Sequence, residues 1–428
     1  MNILLLGSGG REHALARALR YSKTCSRLLI APGNAGTTEY GENVDIQPTD
    51  FEAIKTLCIT QFIEMIVVGP EEPLVKGIYD FVVNDPELEK ITVVGPSAGA
   101  AQLEGSKSFS KKFMQRYQVP TAGFAEFNEG NFEHGKNHIH AQKLPIVLKA
   151  DGLAAGKGVI ICDSYEEATK AFEEMVINKQ FGEASEKVVV EEFLQGIELS
   201  VFVVTNGSQY KIIGHAKDYK RIGEGDTGLN TGGMGCVTPV PFANDEFMQK
   251  VEERVIKPTI RGLQEEQLAY NGFIFFGLMN VNGDPYVIEY NCRLGDPETE
   301  VILPRLKTDL LEILTAMRLG RLDDVVIEYD ERAVATVVAV SEGYPGKYEK
   351  GRTINGLPAD TNQQQDTIIF HAGTKTEGDT VVTNGGRVLA VTSFGTDISE
   401  AVKKSKAVLD TIHFEGMTYR KDIGYEFE

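Results

Sequence analysis

The segment PYVIEYNCRLGDPETE sets a carboxylate, an amide and a guanidinium at two-residue intervals. Read as a β-strand, its period of two places Val287, Glu289, Asn291 and Arg293 on one face, with Ile288, Tyr290 and Cys292 on the other. Glu289 and Asn291 then offer two hard oxygen ligands suited to Mg²⁺, which takes few protein ligands and completes its shell with phosphates and water. Arg293 suits a carboxylate or a phosphoryl group in transfer, held by two parallel hydrogen bonds. The alternative is a buried, salt-bridged strand end.

In VLKADGLAAGKGVII, Lys149 lies on a strand, and the loop from Gly152 to Gly158, with Gly156 and Lys157, runs directly into another strand. A P-loop needs G-x-x-x-x-G-K-[ST] followed by a helix, which this spacing and Val159 do not provide. Glycine amides and two lysines suit a hairpin that closes over a triphosphate; the alternative is a plain surface hairpin. In VVVEEFLQGIELS, a chain crossing between lobes would offer backbone groups of Glu191, Glu192 and Leu194 to a purine edge, and Glu198 would accept from ribose hydroxyls. An edge strand with solvated acids is the alternative there. Near the start, Gly7, Gly9 and Gly10 follow a strand and open a helix whose amides could hold a phosphate. Glu12 stands where G-x-G-x-x-G needs its third glycine, and Arg11 suits a phosphate monoester better than a pyrophosphate. A tight strand-to-helix turn would explain the same residues.

These groups need several frameworks to position them. From 1 to 105, apolar runs (NILLL, RLLIAP, MIVVGP, ITVVGP) alternate with helical patterns, as in an open parallel sheet that binds ligands at its carboxyl rim. A connecting helix follows at 106–120, with Ser106 as N-cap and Pro120 as stop. Residues 121–190 read as an α+β lobe built on the glycine-rich hairpin, with a strand near Gly123–Phe127 and a helix from Ser164 to about Ile177. Residues 191–328 carry paired strands and long helices on either side of Gln264, and 329–428 form a separate small α+β domain. The fold class is thus α/β and α+β, multidomain.

Length and composition agree with that division. The 428 residues are 42% hydrophobic and 25% charged, too many for one ordinary core and too apolar for disorder. A net charge of −19 opposes nucleic-acid or membrane-surface binding and confines anionic substrates to local basic pockets. MNILLLGSGG lacks a basic leader and reads as a first buried strand. Five scattered cysteines without a C-x-x-C pair indicate a reducing, cytoplasmic setting.

The order of the motifs (a lysine ahead of a lobe, a glycine-rich hairpin, an E-x-x-L-x-G-x-E hinge, a strand with Glu-x-Asn) resembles the ATP-grasp superfamily. Within it, GSGGREHALA, PGNAGT, VVGPEEPLV, QLEGSKSFSKKFM, KADGLAAGKGV, DTGLNTGGMG, GDPETE with ILPRLKTDL, GYPGKYEKG and HAGT are similar to the phosphoribosylamine–glycine ligase family over nearly the whole chain. The resemblance implies a two-lobed ATP-grasp core and an ATP-dependent ligation of glycine to phosphoribosylamine through glycyl phosphate, in purine biosynthesis. It implies Lys107, Lys149, Gly156, Lys157 and Arg221 as ATP phosphate contacts, and Glu191, Glu192, Leu194 and Glu198 as adenine and ribose contacts. Glu289 and Asn291 would hold Mg²⁺ or Mn²⁺. Asp218 to Met234 would line the amino-acid end of the cleft, with Asp218, Lys220 and Arg293 at the chemistry and Asn230, Thr231, Gly232, Gly233, Met234 and Asp296 around the substrates. The phosphoribosyl group would lie near Gly9, Gly10 and Arg11. A monomer acting on small molecules alone is expected. Two departures are visible: NCRLGDPE stands where the family often has NVRFGDPE, changing Cys292 and Leu294, neither an expected ligand, and Phe273 to Val281 contains no acid, where many ATP-grasp enzymes place a further metal carboxylate.

Overall fold

The computed structural model describes residues 1–153, 158–358 and 366–427, so Gly156 and Lys157 lie outside the described residues. The N-terminal strands Asn2–Gly7, Arg27–Pro32, Met65–Val68 and Thr92–Pro96 are parallel and hydrogen-bonded as neighbours, with short Glu42–Asn43 at the edge. Their continuous apolar runs reflect burial on both faces. Leu4, Leu6, Ile66 and Val68 pack into one core, and Ile3, Leu5, Met65 and Val67 into another. The helix Gly10–Tyr21 starts directly at the rim of this sheet.

The helix Lys107–Tyr117 begins where Ser106 accepts the Phe109 amide at 3.1 Å, as its sequence predicts. Beyond it, four antiparallel strands form a small sheet in the order Phe124–Phe127, Val188–Glu192, Ile146–Ala150, Val159–Cys162. Helices Phe132–Ala141 and Tyr165–Val176 cover it, and Ser164 caps the second. Ile139, Leu148, Phe172 and Val190 fill the core between the layers.

The remaining strands are hydrogen-bonded to the N-terminal sheet and to one another. Tyr270 and Asn271, at the start of the long strand Tyr270–Val281, pair with Pro96 and Gly95 of the N-terminal sheet. At the other side, Gly235–Thr238 pairs with residues 334–337 of the C-terminal strand Ala333–Ser341. One fourteen-stranded sheet therefore runs through the N-terminal, central and C-terminal segments among the described residues. The C-terminal segment continues this sheet, is covered by helix Ile398–Leu409 and contributes most of a further core cluster that includes Val388, Leu389 and Phe414. Helix lies on either side of Gln264: Asp245–Val251, a π-type turn at Glu252–Ile256 and Lys257–Glu265 run up to and through it, and beyond the strands the shorter helices Thr299–Arg305 and Leu310–Arg318 follow.

Candidate active site

The strand Asp284–Asn291 brings its polar face to the junction between the small sheet and the large one, with one correction to strict alternation. Gly277 pairs with Glu289, but its neighbour Leu278 pairs with Val287, so Ile288 is an extra residue in a bulge. The bulge turns Val287 into the same apolar core as Tyr290 and Cys292, away from the Glu289 face where periodicity had put it. Glu289 and Asn291 stay together as expected. The Ile288 carbonyl, released from the ladder, accepts from Lys149 Nζ at 3.2 Å and ties the small lobe to this strand.

Cations gather around Glu289. Burial works against its charge, but Lys220, Lys149, Lys107 and Arg293 outweigh it and hold the carboxyl below its ordinary range. No cation lies within ion-pair distance of Glu289 among the described residues. Asn291 Oδ1 accepts from Arg293 Nη2 at 3.0 Å, and its buried Nδ2 has no partner among the described residues. Arg293 itself is held by Glu104 at 2.8 Å, with Glu71 at 3.7 Å, and Glu104 also takes the Cys292 amide at 2.7 Å. Neither acid was legible as a site residue, because both belong to the N-terminal segment, far away in sequence.

The expected adenine and ribose contacts are placed differently from one another. The Glu191 carboxylate points inward, 3.0 Å from both Lys111 and Lys149. Lys111 was not anticipated, although it follows Lys107 by one helical turn on the same face. Burial pushes its ammonium down to about 8 against the pull of Glu191. Lys111 also donates to Thr121, whose hydroxyl in turn donates to the Val287 carbonyl, each at 2.7 Å, so this pair belongs to the hinge between the lobes. Glu192 is exposed and accepts the Gly123 amide at 2.8 Å, Leu194 is half-buried, and Glu198 meets Lys220 at 2.7 Å. Lys107 Nζ donates to the Gly152 carbonyl at 3.1 Å. Arg221 donates to the Gly228 carbonyl at 2.8 Å in an exposed hairpin that also carries Asn230.

Asp218 ends the strand Tyr210–Asp218, buried near Lys220, Glu198 and Glu298. Burial raises its carboxyl, and Lys220 pulls the other way. Glu298 is pushed up to about 7 by burial and by Asp218. Thr231 anchors the following segment by donating its hydroxyl to the Lys220 carbonyl at 2.7 Å. Met234 is not a lining residue: its amide reaches the Tyr219 carbonyl at 2.7 Å and its side chain is buried in the core with Phe202 and Ile302. A long apolar side chain gains more from that core than from a polar cleft.

The N-terminal rim is closed on itself. The Gly9 amide donates to Glu12 Oε2 at 2.6 Å, and the guanidinium of Arg11, 8% exposed, binds Glu12 at 2.6 Å and the Leu294 carbonyl at 3.2 Å. A phosphate at Gly9 to Arg11 would have to displace Glu12 from that amide. Gly10 is required for another reason, since a Cβ there would meet Glu300 Oε1 at 2.2 Å. The Arg11 amide reaches Asp296 Oδ2 at 3.3 Å, and Asp296 also binds Arg387, a residue no local pattern had singled out. The PGNAGT and HAGT strings meet here too: Asn34 Nδ2 donates to the His371 carbonyl at 2.7 Å, and His13 Nδ1 accepts the His371 amide at 2.7 Å.

The site is thus a cation-rich cleft, fed by loops of all three segments, with a carboxylate and an amide, Glu289 and Asn291, on one strand. Phosphoribosylglycinamide synthetase models match the chain as an N domain over residues 1–104, an ATP-grasp (A) domain over 105–299 and a C domain over 334–426. The phosphoribosylamine–glycine ligase of Vibrio cholerae is 45% identical over 428 residues, covering 99% of this chain and 98% of that one. The crystal structure of the Thermotoga maritima phosphoribosylamine–glycine ligase matches with a TM-score of 0.84 at 37% identity, over 99% of this chain and 100% of the other. A Campylobacter jejuni biotin carboxylase has a TM-score of 0.73 at 17% identity, over 99% and 94% of the two chains, and shares the fold. With identity spread over its full length and all three domain models in order, the chain belongs to the phosphoribosylamine–glycine ligase family.

Proposed function

We infer that the chain joins glycine to 5-phosphoribosylamine with ATP, giving glycinamide ribonucleotide, ADP and phosphate by way of glycyl phosphate. Beyond family membership, the convergence of Lys107, Lys149, Lys220 and Arg293 around Glu289 is the observation that carries this reading. Glu191, Glu198 and Glu104 hold three of these cations in place, and a triphosphate and a substrate carboxylate would find their counter-charges among the four.

A glycine carboxylate oxygen attacks the γ-phosphorus, and the bond to the ADP oxygen breaks. The amine of phosphoribosylamine then attacks the acyl carbon, phosphate leaves with the bridging oxygen, and the amine proton passes to phosphate or solvent. No residue is a nucleophile. Lys107 and Lys149 neutralise phosphate charge; Arg293, steered by Glu104 and Asn291, faces the glycine carboxylate. Asp218 and Glu198 keep Lys220 charged despite its burial, poised to neutralise charge at the reacting phosphoryl group. Closure of the small lobe excludes water from the acyl phosphate.

Glu289 and Asn291 fit a hard divalent cation: both offer oxygen, and Glu289 has no ion-pair partner among the described residues. Among the described residues no group of three or more acidic, histidine or cysteine side chains could hold a metal. Two protein ligands suit Mg²⁺, or Mn²⁺, shared with phosphate oxygens. When bound, the ion neutralises the β- and γ-phosphates. Among the described residues no helix is long and apolar enough to cross a membrane.

The test is ADP release with glycine and freshly made phosphoribosylamine, each omitted in turn. Release should require both, and alanine should replace glycine poorly. Turnover with bicarbonate or formate and none with glycine would overturn the substrate assignment.

A further inference from the structure

Arg387 comes from the C-terminal segment, yet its guanidinium lies between the two loops assigned to the substrate end of the cleft. Nη1 donates to the Gly232 carbonyl and to the Asp296 carbonyl, both at 2.7 Å, and Nη2 lies 3.0 Å from Asp296 Oδ1. One planar group thus ties the GGM turn to the GDPE turn by contacts that a lysine, with a single ammonium, could not reproduce. Tyr344 completes the hold: its hydroxyl accepts the Gly232 amide at 2.9 Å. The Gly232–Gly233 peptide has no slack. A Cβ on Gly232 would come within 2.9 Å of Arg387 Cζ, and Gly233, at φ +122°, would drive one to 2.4 Å from Pro297 Cδ.

The arginine reaches this position through a strand irregularity. In Arg387–Gly395, Leu389 pairs with Ala339 while Arg387 pairs with Val340, so Val388 is an extra residue. Val388 and Leu389 both enter the C-terminal core, and the bulge sends Arg387 outward toward the cleft. Asp296, its partner, also receives the Arg11 amide, so all three segments meet at one carboxylate.

We propose that Arg387 is a positioning residue that fixes the Gly232–Gly233 turn against Asp296 and thereby shapes the amino-acid end of the cleft. The inference rests on the glycine-ligase reading above. Tyr344 acts in the same unit, and the C-terminal segment serves the reaction through these two side chains without touching ATP.

Full-length Arg387→Ala and Arg387→Lys are compared with wild type by ADP release, titrating glycine, phosphoribosylamine and ATP separately. The expected result for Arg387→Ala is a rise of about tenfold to a hundredfold in KM for glycine, the size of a lost charged hydrogen-bond group, with KM for ATP nearly unchanged. Arg387→Lys should recover little of it, whereas millimolar guanidinium should partly restore Arg387→Ala. An equal rise for ATP, or an unchanged KM for glycine, would overturn the proposal. Amide exchange without any substrate separates this from an error in the reaction assigned: exchange at 231–234 should quicken in Arg387→Ala, while exchange at 188–192 should not. Unaltered exchange at 231–234 would sink the clamp whatever the substrate, and a wild type indifferent to glycine would sink the reaction assignment instead.

Discussion

At the scale of single residues, the chemistry depends on which charges have partners. Glu289 faces four cations without an ion pair among the described residues, which is the basis for the metal role proposed for it. Glu289→Gln with Asn291→Leu should therefore lower turnover roughly a hundredfold or more while leaving the melting temperature without nucleotide close to wild type. The double variant should also lose the rise in melting temperature given by Mg-ATP, read by thermal melts with and without chelator. A large loss of stability in the absence of nucleotide would instead mark Glu289 as structural. Glu300 is the opposite case. It is fully buried, neither of its oxygens has a partner among the described residues, and burial followed by Asp296 raises its carboxyl well above the ordinary range. The folded chain then binds a proton that the unfolded chain releases above about pH 4.5, so this group costs stability as pH rises. Glu300→Gln keeps the shape and removes the titration. Its melting temperature should exceed that of wild type near about pH 8, and the gap should close toward about pH 4. A lower melting temperature at the alkaline end would show that the carboxylate is needed ionised.

At the scale of elements, two bulges aim the site. The extra residues Ile288 and Val388 each adjoin a charged side chain, Glu289 and Arg387 respectively, and in each strand two residues that alternation would separate share a core. Periodicity located both strands, but a bulge depends on the partner strand's register, which no local pattern carries. The strand Tyr270–Val281 makes the same point at its start. Gly272 crosses the N-terminal sheet so closely that a Cβ would lie 2.9 Å from the Gly95 nitrogen and 3.1 Å from its Cα, both backbone atoms that cannot swing aside. Gly272→Ala should therefore lower stability by about 1 to 3 kcal/mol, measured by denaturant unfolding, with KM for ATP unchanged. A neutral result would mean that the two sheets slide apart at little cost. The caps at Ser106 and Ser164, by contrast, were legible because capping is a contact over three residues.

At the scale of the whole molecule, the N- and C-terminal segments are docked through buried neutral histidines. Burial holds His371 down at about 4, and burial followed by the neighbouring His371 lowers His13 well below the usual imidazole range. Both are neutral when folded and take up protons when unfolded below about 6.5, so stability is complete above that pH and is lost as pH falls toward about 4. The His371 shift alone corresponds to an upper limit on the order of 3 kcal/mol. His13→Asn keeps an acceptor for the His371 amide and cannot titrate. It should flatten the decline in melting temperature between about pH 6.5 and 4, and an unchanged slope would place the acid sensitivity elsewhere. The sequence alone determined the parallel N-terminal sheet, the family, the residue types of the site and the pairing of Glu289 with Asn291, because these depend on local periodicity and short motifs. Tertiary structure decided that Glu104 holds Arg293, that Lys111 shares Glu191, that Met234 is core and that Arg387 ties Gly232 to Asp296. Those contacts join residues tens to hundreds of positions apart, and their energies depend on burial and register that exist only once the sheet has formed.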